Sequence, residues 1–342
     1  MLKISPYAYG HLPLYFYLIG AYSKFFTTGK CLDFPLTLLI QTQSFCNSRC
    51  SICPYPTVSK KLPQGRMEWS LFQKIVDESA SEPLLSTIVF ELHNEPLLDE
   101  RIFDCVKYIK SKGASKNVVL ITNGELLDRF SLTDIVQSNL DSLQISLNAY
   151  SREMYESINT GLDYDRVMSN ISRILSDQTM RQKTKLGFVI TEQNEHEVCE
   201  ATDYWKKQGV RTRVWGVTNR AGSVANYERL RPKTDYYHSP GLATVWQRLT
   251  TGARHAIGCH VPFHEISILF NGDALICSED WNRTTVVGNV TTQSLKEVWN
   301  SKKINEIRRL LLRKRLEQID SCRECSMAKY CVSPQSTKRV SS

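Results

Sequence analysis

Residues 36–56 read LTLLIQTQSFCNSRCSICPYP. The first eight, Leu36 to Gln43, form a short apolar run with the length of a buried strand. Cys46, Cys50 and Cys53 follow directly, in the spacing Cys-x-x-x-Cys-x-x-Cys. At this cysteine frequency a given three-cysteine spacing arises by chance in roughly one chain in a hundred. The spacing brings three thiolates onto one compact loop. Three thiolates can hold three irons of a [4Fe–4S] cluster and leave the fourth iron open, whereas a four-cysteine cluster has no open site. The competing reading is a zinc knuckle with a distant fourth ligand, although zinc sites favour paired cysteine spacings.

Downstream, strand-like and helix-like stretches alternate. Thr87 to Leu92, Asn117 to Thr122, Ser142 to Leu147, Lys185 to Thr191 and Arg211 to Val217 read as strands. Trp69 to Ser79, Asp99 to Ser111, Leu126 to Ser138, Tyr164 to Ser176 and His196 to Gln208 carry helical spacing. With Leu36 to Gln43 that makes six strands and five helices. Such alternation implies parallel strands joined by right-handed crossovers. Residues just after each strand then gather at one rim, where ligands bind in such folds.

The loop SFCNSRCSICPYP resembles the defining loop of radical S-adenosylmethionine (SAM) enzymes. The resemblance covers roughly Leu36 to Val217 and implies an α/β fold built on a partial (β/α)6 barrel. It also implies that SAM chelates the open iron through its amino and carboxylate groups. One electron from the reduced cluster then breaks the sulfonium bond, and the 5′-deoxyadenosyl radical takes a hydrogen atom from the substrate. Further positions are similar to the family's. Where the family often has Gly-Gly-Glu-Pro, which binds the SAM amino group, this chain has His93-Asn94-Glu95-Pro96. Glu95 and Pro96 are kept, and the local backbone is expected to differ because His93 and Asn94 lack glycine's freedom. Thr122-Asn123-Gly124 resembles the family's T-N-G, and Ser146-Leu147-Asn148-Ala149 its S-[LIV]-[DN]-[GA]. Thr191 and Asn194 fill similar positions after the fifth strand. The resemblance therefore implies SAM contacts at Glu95, Pro96, Asn123, Ser146, Asn148, Thr191 and Asn194. Each stretch alone could be ordinary turn chemistry.

A second group of cysteines lies beyond. Cys259, then Gly272-x4-Cys277, then Cys322-x-x-Cys325-x5-Cys331 resembles the C-terminal cluster-binding extension called SPASM, or its shorter twitch form. Val287-Gly288-Asn289-Val290 and Leu295-Lys296-Glu297-Val298-Trp299-Asn300 resemble stretches common in that extension. A full SPASM domain has seven cysteines and this one has five, so the resemblance implies one auxiliary [4Fe–4S] cluster on Cys259, Cys277, Cys322 and Cys325. Cys331 is left over, as a vestige, a substitute ligand or a functional thiol. A structural zinc on the same four ligands is the alternative, since spacing alone does not separate the two. Asn271-Gly272, at the centre of Glu265 to Cys277, marks a hairpin turn. Amphipathic helices are expected over Ser294 to Trp299 and Lys303 to Leu316.

The expected organisation is an N-terminal segment over 1–35 that packs on the barrel, a core over 36–220 and a linker over 221–258. The auxiliary domain follows over 259–332, and a polar tail over 333–342. A chain of 342 residues can bury such a core. Eleven cysteines in a chain this large, without a convincing export signal, point to metal binding in the cytoplasm rather than to disulfides. Leu12 to Tyr22 is apolar but too short to span a bilayer. The net charge of +8 draws partly on Arg308 to Arg315, a solvated helix face or an attraction for an acidic or phosphorylated substrate. No nucleic-acid-binding motif accompanies it.

Three functions are open at this point. One is dehydrogenation or epimerisation of a small molecule of sugar, aminocyclitol or nucleoside type, served by an electron donor such as flavodoxin or ferredoxin. An epimerase needs an unligated thiol near the substrate to return a hydrogen atom, and Cys331, Cys199, Cys105 and Cys31 are the candidates. The second is maturation of a ribosomally made peptide; the roughly 35 residues before the barrel are too few for the recognition domain of many such enzymes. The third is a non-enzymatic zinc-binding adaptor.

Overall fold

The computed structural model of this chain describes residues 11–233 and 259–332. Nine strands form one sheet: β1 (Thr37–Ile40), β2 (Thr87–Phe90), β3 (Asn117–Thr122), β4 (Ser142–Ser146), β5 (Thr184–Ile190), β6 (Arg211–Gly216), β7 (Glu265–Ile268), β8 (Asp273–Leu275) and β9 (Val286–Asn289). Their order is β6-β5-β4-β3-β2-β1-β7-β8-β9. Strands β1 to β6 pair in parallel, each with its sequence neighbour, which is the sheet of a partial (β/α)6 barrel. All six expected strands are present. The expected helices appear as Trp69–Ala80, Ile102–Lys112, Tyr164–Ser176 and Glu195–Lys207, while Leu126 to Ser138 splits into a 3-10 turn, Glu125–Arg129, and a short helix, Leu132–Gln137.

Alternation along the strands divides the core in two. Leu38, Ile40, Ile88, Phe90, Val118, Leu120, Leu143, Ile145, Leu186 and Phe188 face the helices in one large apolar cluster. Leu39, Val89, Leu92, Val119, Leu269 and Leu275 form a second, smaller cluster on the opposite, inner face. Period-two side-chain direction makes this split.

The C-terminal hairpin does not stand apart from the barrel. β7 pairs in parallel with β1 over Thr37↔Glu265 to Ile40↔Ile268, and β8 and β9 then add in antiparallel fashion. Gly272 takes the left-handed conformation the turn requires, φ +84°, and a Cβ there would meet Asn289 and Thr291 side chains under 3 Å away. Beyond the sheet, Leu295–Trp299 starts with a capping box, Ser294 and Glu297, and Lys302–Leu312 follows.

Residues 11–28 form a helix, His11–Thr28. Tyr22 and Phe25 pack on the Phe263 ring at 4.5 and 5.6 Å, and the Tyr17 hydroxyl donates to the Phe34 carbonyl at 2.7 Å. Among the described residues no helix is long and apolar enough to cross a membrane. Residues 234–258 of the expected linker and the polar tail lie outside the described residues.

One member of the basic run departs from the expectation: Arg309, Arg313, Lys314 and Arg315 are exposed, while Arg308 is completely buried. Its guanidinium donates to the carbonyls of Pro262 and Trp299 and to Asn305, and stacks 4.1 Å from the Trp299 ring. Helical spacing from Ile304 to Leu311 turns Arg308 inward, where burial pulls its pKa down to about 10.

Candidate active site

The three-cysteine loop is fastened to the ends of four strands. From β1, the buried Gln43 donates to the Glu95 carbonyl and accepts from the Phe45 amide. Asn47, inside the cysteine spacing, accepts from Asn123 Nδ2 at 2.8 Å and donates to Glu125 at 2.7 Å, at the end of β3. Beyond β4, Asn159 donates to the Leu147 carbonyl and accepts from Asn148, both at 2.9 Å, and lies 3.8 Å from Cys50 Sγ. The amides of Arg49 and Ser51 donate to the Thr160 and Ile158 carbonyls. The Ser48 hydroxyl sits between two ligand candidates, 3.2 Å from Cys46 Sγ and 3.4 Å from Cys50 Sγ.

Glu95 is buried at the end of β2. Its carboxylate accepts from Thr122 Oγ1 (2.6 Å), the Asn123 amide (2.8 Å) and the Leu97 amide (3.0 Å). Burial pushes its pKa up to about 7 against the pull of those donors. Pro96 opens the 3-10 turn Pro96–Leu98. In the backbone before Glu95, His93 adopts the left-handed region that glycine favours, φ +57°, despite its side chain. Its ring offsets that strain by stacking on Trp281, centroids 4.2 Å apart, and by donating from Nε2 to the Ser278 carbonyl at 2.7 Å.

The remaining positions separate. Asn123 and Ser146 stay partly accessible at the rim. Asn148, Thr191 and Asn194 are buried and occupied with one another and with backbone. Asn194 Oδ1 accepts from the Thr191 amide and hydroxyl, and its Nδ2 donates to the Asn148 and Val189 carbonyls. Asn148, at φ +62°, accepts from the Val189 amide. These three shape the rim as a network; their side-chain groups point into it.

The five cysteines of the second group act on one another. Cys331 is hydrogen-bonded to Cys259, and both Cys259 and Cys325 feel the neighbouring thiols. Cys277 is raised by burial first, then by Glu279, Glu265 and Cys325. Cys331 is therefore not a stray thiol. It belongs to the group and is buried beside Cys259.

Residues 40–211 match the family model described as the radical SAM superfamily, and residues 259–326 match that of an iron–sulfur cluster-binding domain, SPASM. The chain belongs to the radical SAM superfamily. Among curated relatives, the S-adenosyl-L-methionine-dependent 2-deoxy-scyllo-inosamine dehydrogenase of Niallia circulans is 19% identical over 84% of this chain and 91% of its own length. The tungsten-containing aldehyde ferredoxin oxidoreductase cofactor-modifying protein of Pyrococcus furiosus is 22% identical over 86% and 88%. Among solved structures, BtrN in complex with AdoMet and 2-DOIA aligns with a TM-score of 0.58 at 18% identity, covering 85% of this chain and 92% of its own. Streptococcus suis SuiB bound to the precursor peptide SuiA aligns at 0.64 and 16% identity, covering 90% and 73%. At these identities the structural likeness establishes the fold.

Membership in the superfamily brings a SAM-binding [4Fe–4S] cluster, and the SPASM domain an auxiliary iron–sulfur cluster. The residues present fit both. Burial pushes the Cys46 and Cys53 thiols up to about 12 and raises Cys50, so three adjacent thiolates need a strong local positive charge. Iron supplies it and inverts that balance. No three His, Cys, Asp or Glu side chains among the described residues converge closely enough to hold a single metal ion.

Between the two cysteine groups lies a set of residues that the sequence did not single out. Glu279 accepts from Arg220 Nη1 at 2.7 Å and from Thr218 Oγ1 at 2.8 Å. Arg220 acts electrostatically on Cys53 on one side, and Glu279 on Cys277 and Cys325 on the other. Glu91, two residues past the inner-face Val89, and Glu265, at the start of β7, complete the set. These four charged side chains are only partly exposed. Burial pushes Glu91 up to about 7 and Glu265 up to about 8. The one local signal for them was a charged residue, Glu91, closing an apolar strand.

Proposed function

We propose that this radical SAM enzyme dehydrogenates a small polar molecule held in the hollow between its two cysteine groups. Cys46, Cys50 and Cys53 hold the SAM-binding cluster in this reading. Cys259, Cys277 and Cys325 hold the auxiliary cluster, with Cys322 or Cys331 as the fourth ligand. Bound there, the groups supply reductive cleavage of SAM, hydrogen abstraction by the 5′-deoxyadenosyl radical, and an acceptor for the electron left on the substrate. Flavodoxin or ferredoxin supplies the first electron, which fits a cytoplasmic setting. The chain's own part is to fix the loop through Gln43, Asn47 and Asn159, and to wall the hollow.

The position of the spare thiols carries the choice of dehydrogenation over epimerisation. Cys31 and Cys105 are buried in the apolar cluster on the helix side of the sheet. Cys199 is exposed on the helix Glu195–Lys207. Cys331 is engaged with Cys259. In this reading none of the four returns a hydrogen atom to the substrate radical. The relation to an inosamine dehydrogenase over most of both chains supports the same reading. The idea of an acidic or phosphorylated substrate rested on the run from Arg308; Arg308 is buried and takes no part in it, and Arg309, Arg313, Lys314 and Arg315 are exposed.

The test is an anaerobic assay of reconstituted, dithionite-reduced enzyme against candidate polyols and aminocyclitols. Dehydrogenation gives one ketone and one 5′-deoxyadenosine per turnover, with no solvent deuterium in the product's carbon skeleton when run briefly in D2O. Stereo-inverted product carrying solvent deuterium would establish epimerisation instead. Turnover only with peptides would move the chain to the maturases.

A further inference from the structure

We infer that Ser48, inside the first cysteine spacing, raises the reduction potential of the SAM-binding cluster by donating a hydrogen bond from its hydroxyl to a ligand sulfur, that of Cys46 or Cys50. The inference rests on the ligand assignment proposed above and deepens it.

Three observations lead there. First, the hydroxyl has no other occupation. Ser48 Oγ lies 3.2 Å from Cys46 Sγ and 3.4 Å from Cys50 Sγ, and among the described residues it makes no other hydrogen bond. A serine in a loop ordinarily turns its hydroxyl onto nearby backbone. Ser44 does so with the Gly65 amide and Ser59 with the Tyr55 carbonyl, on either side of the same loop. Second, the residue is held where it is. Ser48 is 8% exposed. Asn47 before it is bound to Asn123 and Glu125, and the amide of Arg49 after it donates to the Thr160 carbonyl at 2.7 Å. The hydroxyl therefore faces the two sulfurs from a segment fixed at both ends, with little water to compete. Third, no other side chain among the described residues can take its place. Asn159 is the other polar side chain near a sulfur of this loop, and it turns its oxygen to Cys50 Sγ, at 3.8 Å, while its amide donates to the Leu147 carbonyl. An oxygen acceptor offers a thiolate nothing.

A thiolate on iron only accepts, so the proton of this bond comes from Ser48. The hydroxyl has one proton for two sulfurs, and Cys46 is the nearer. An added electron makes the sulfurs of a cluster more negative, and a donor is held more strongly by a more negative acceptor. Hydrogen bonds to the sulfurs are one of the means by which a protein sets a cluster's potential. Ser48 thus favours the reduced form over the oxidised one and eases the first electron transfer.

The experiment is a redox titration of the anaerobically reconstituted holoenzyme, followed by electron paramagnetic resonance. The signal that changes shape when SAM is added belongs to the cluster with the open iron, and the auxiliary signal is the internal control. Ser48→Ala keeps every backbone amide. It should disfavour reduction of the SAM-responsive cluster about tenfold, the scale of one charge-assisted hydrogen bond, which lowers its midpoint by about 59 mV for one electron. The auxiliary midpoint and the iron content should not move. Ser48→Thr keeps the hydroxyl and should keep the parent midpoint. An unchanged SAM-responsive midpoint in Ser48→Ala, an equal drop in Ser48→Thr, or loss of that cluster's iron in both variants overturns the inference. Cys50→Ala in the same titration reports on the underlying ligand assignment separately, since it should lose the SAM-responsive signal altogether.

Discussion

Replacing Asn159 with Ala removes the tie between the cysteine loop and β4. The side chain is 1% exposed and makes two amide bonds of 2.9 Å, donating to the Leu147 carbonyl and accepting from Asn148. Alanine leaves that carbonyl and the Asn148 amide proton buried without partners. An orphaned buried group costs about 1–3 kcal/mol, so two partly relieved by relaxation cost about 3 kcal/mol. At roughly 2.1 cal/mol/K per residue, the unfolding entropy of a chain this long is about 0.7 kcal/mol/K, so 3 kcal/mol lowers the melting temperature by about 4 °C. The loop should also hold its metal less firmly, because Arg49 and Ser51 are anchored on the segment that Asn159 ends. The assay pairs calorimetry of the iron-free protein with the rate of iron loss from the reconstituted protein to a chelator. Asn159→Ala should melt lower and release iron faster, and only the iron on the three-cysteine loop should be affected. If the variant melts within 1 °C of the parent, at a cost under about 1 kcal/mol, and iron release is unchanged, the fastening of the loop by buried amides is refuted.

Cys50→Ala should abolish 5′-deoxyadenosine formation and lower the iron content by one cluster's worth, whereas Cys325→Ala should keep some uncoupled SAM cleavage but form no ketone; both are read by chromatography and iron assay. Lys185 is buried, and desolvation first, then Arg211 and Arg213, pull its pKa down to about 8. Between pH 8 and its unfolded value near 10.4 the unfolded chain binds the extra proton, so stability should rise with pH across that window, by on the order of 3 kcal/mol. Lys185→Gln should flatten that rise in urea titrations taken at each pH. Gly187→Ala places a Cβ 2.9 Å from the Trp215 ring, so it should destabilise by about 1–3 kcal/mol in the same titrations, and Trp215→Leu should restore most of the loss.

What was readable in the sequence was what a few adjacent residues specify. Cys46, Cys50 and Cys53 lie within one turn of chain, and the strand before them is apolar; spacing alone defines that site. The polar residues at later strand ends were visible too, but their partners were not. Asn148, Thr191 and Asn194 stand where ligand contacts are expected, yet buried amides must first be satisfied, and these satisfy one another. Sequence distance hides such pairings, since Asn194 meets a carbonyl 46 residues away.

The charged residues between the two cysteine groups are more dispersed still. Glu91 comes from the end of β2, Arg220 from the segment after β6, and Glu265 and Glu279 from either side of β8. Glu279 lies two residues beyond Cys277, and its amide donates to the Cys277 sulfur at 3.3 Å. The same short loop thus supplies an auxiliary-site sulfur, the partner of Arg220 and, through Ser278, the anchor of His93. Selection for a new substrate acting on that loop would also disturb the auxiliary site. Changes at lower cost are open at Glu91, for which the described residues show charge interactions with Arg220 and Arg213 but no hydrogen bond, and the first differences among members that share this loop should therefore fall at the end of β2.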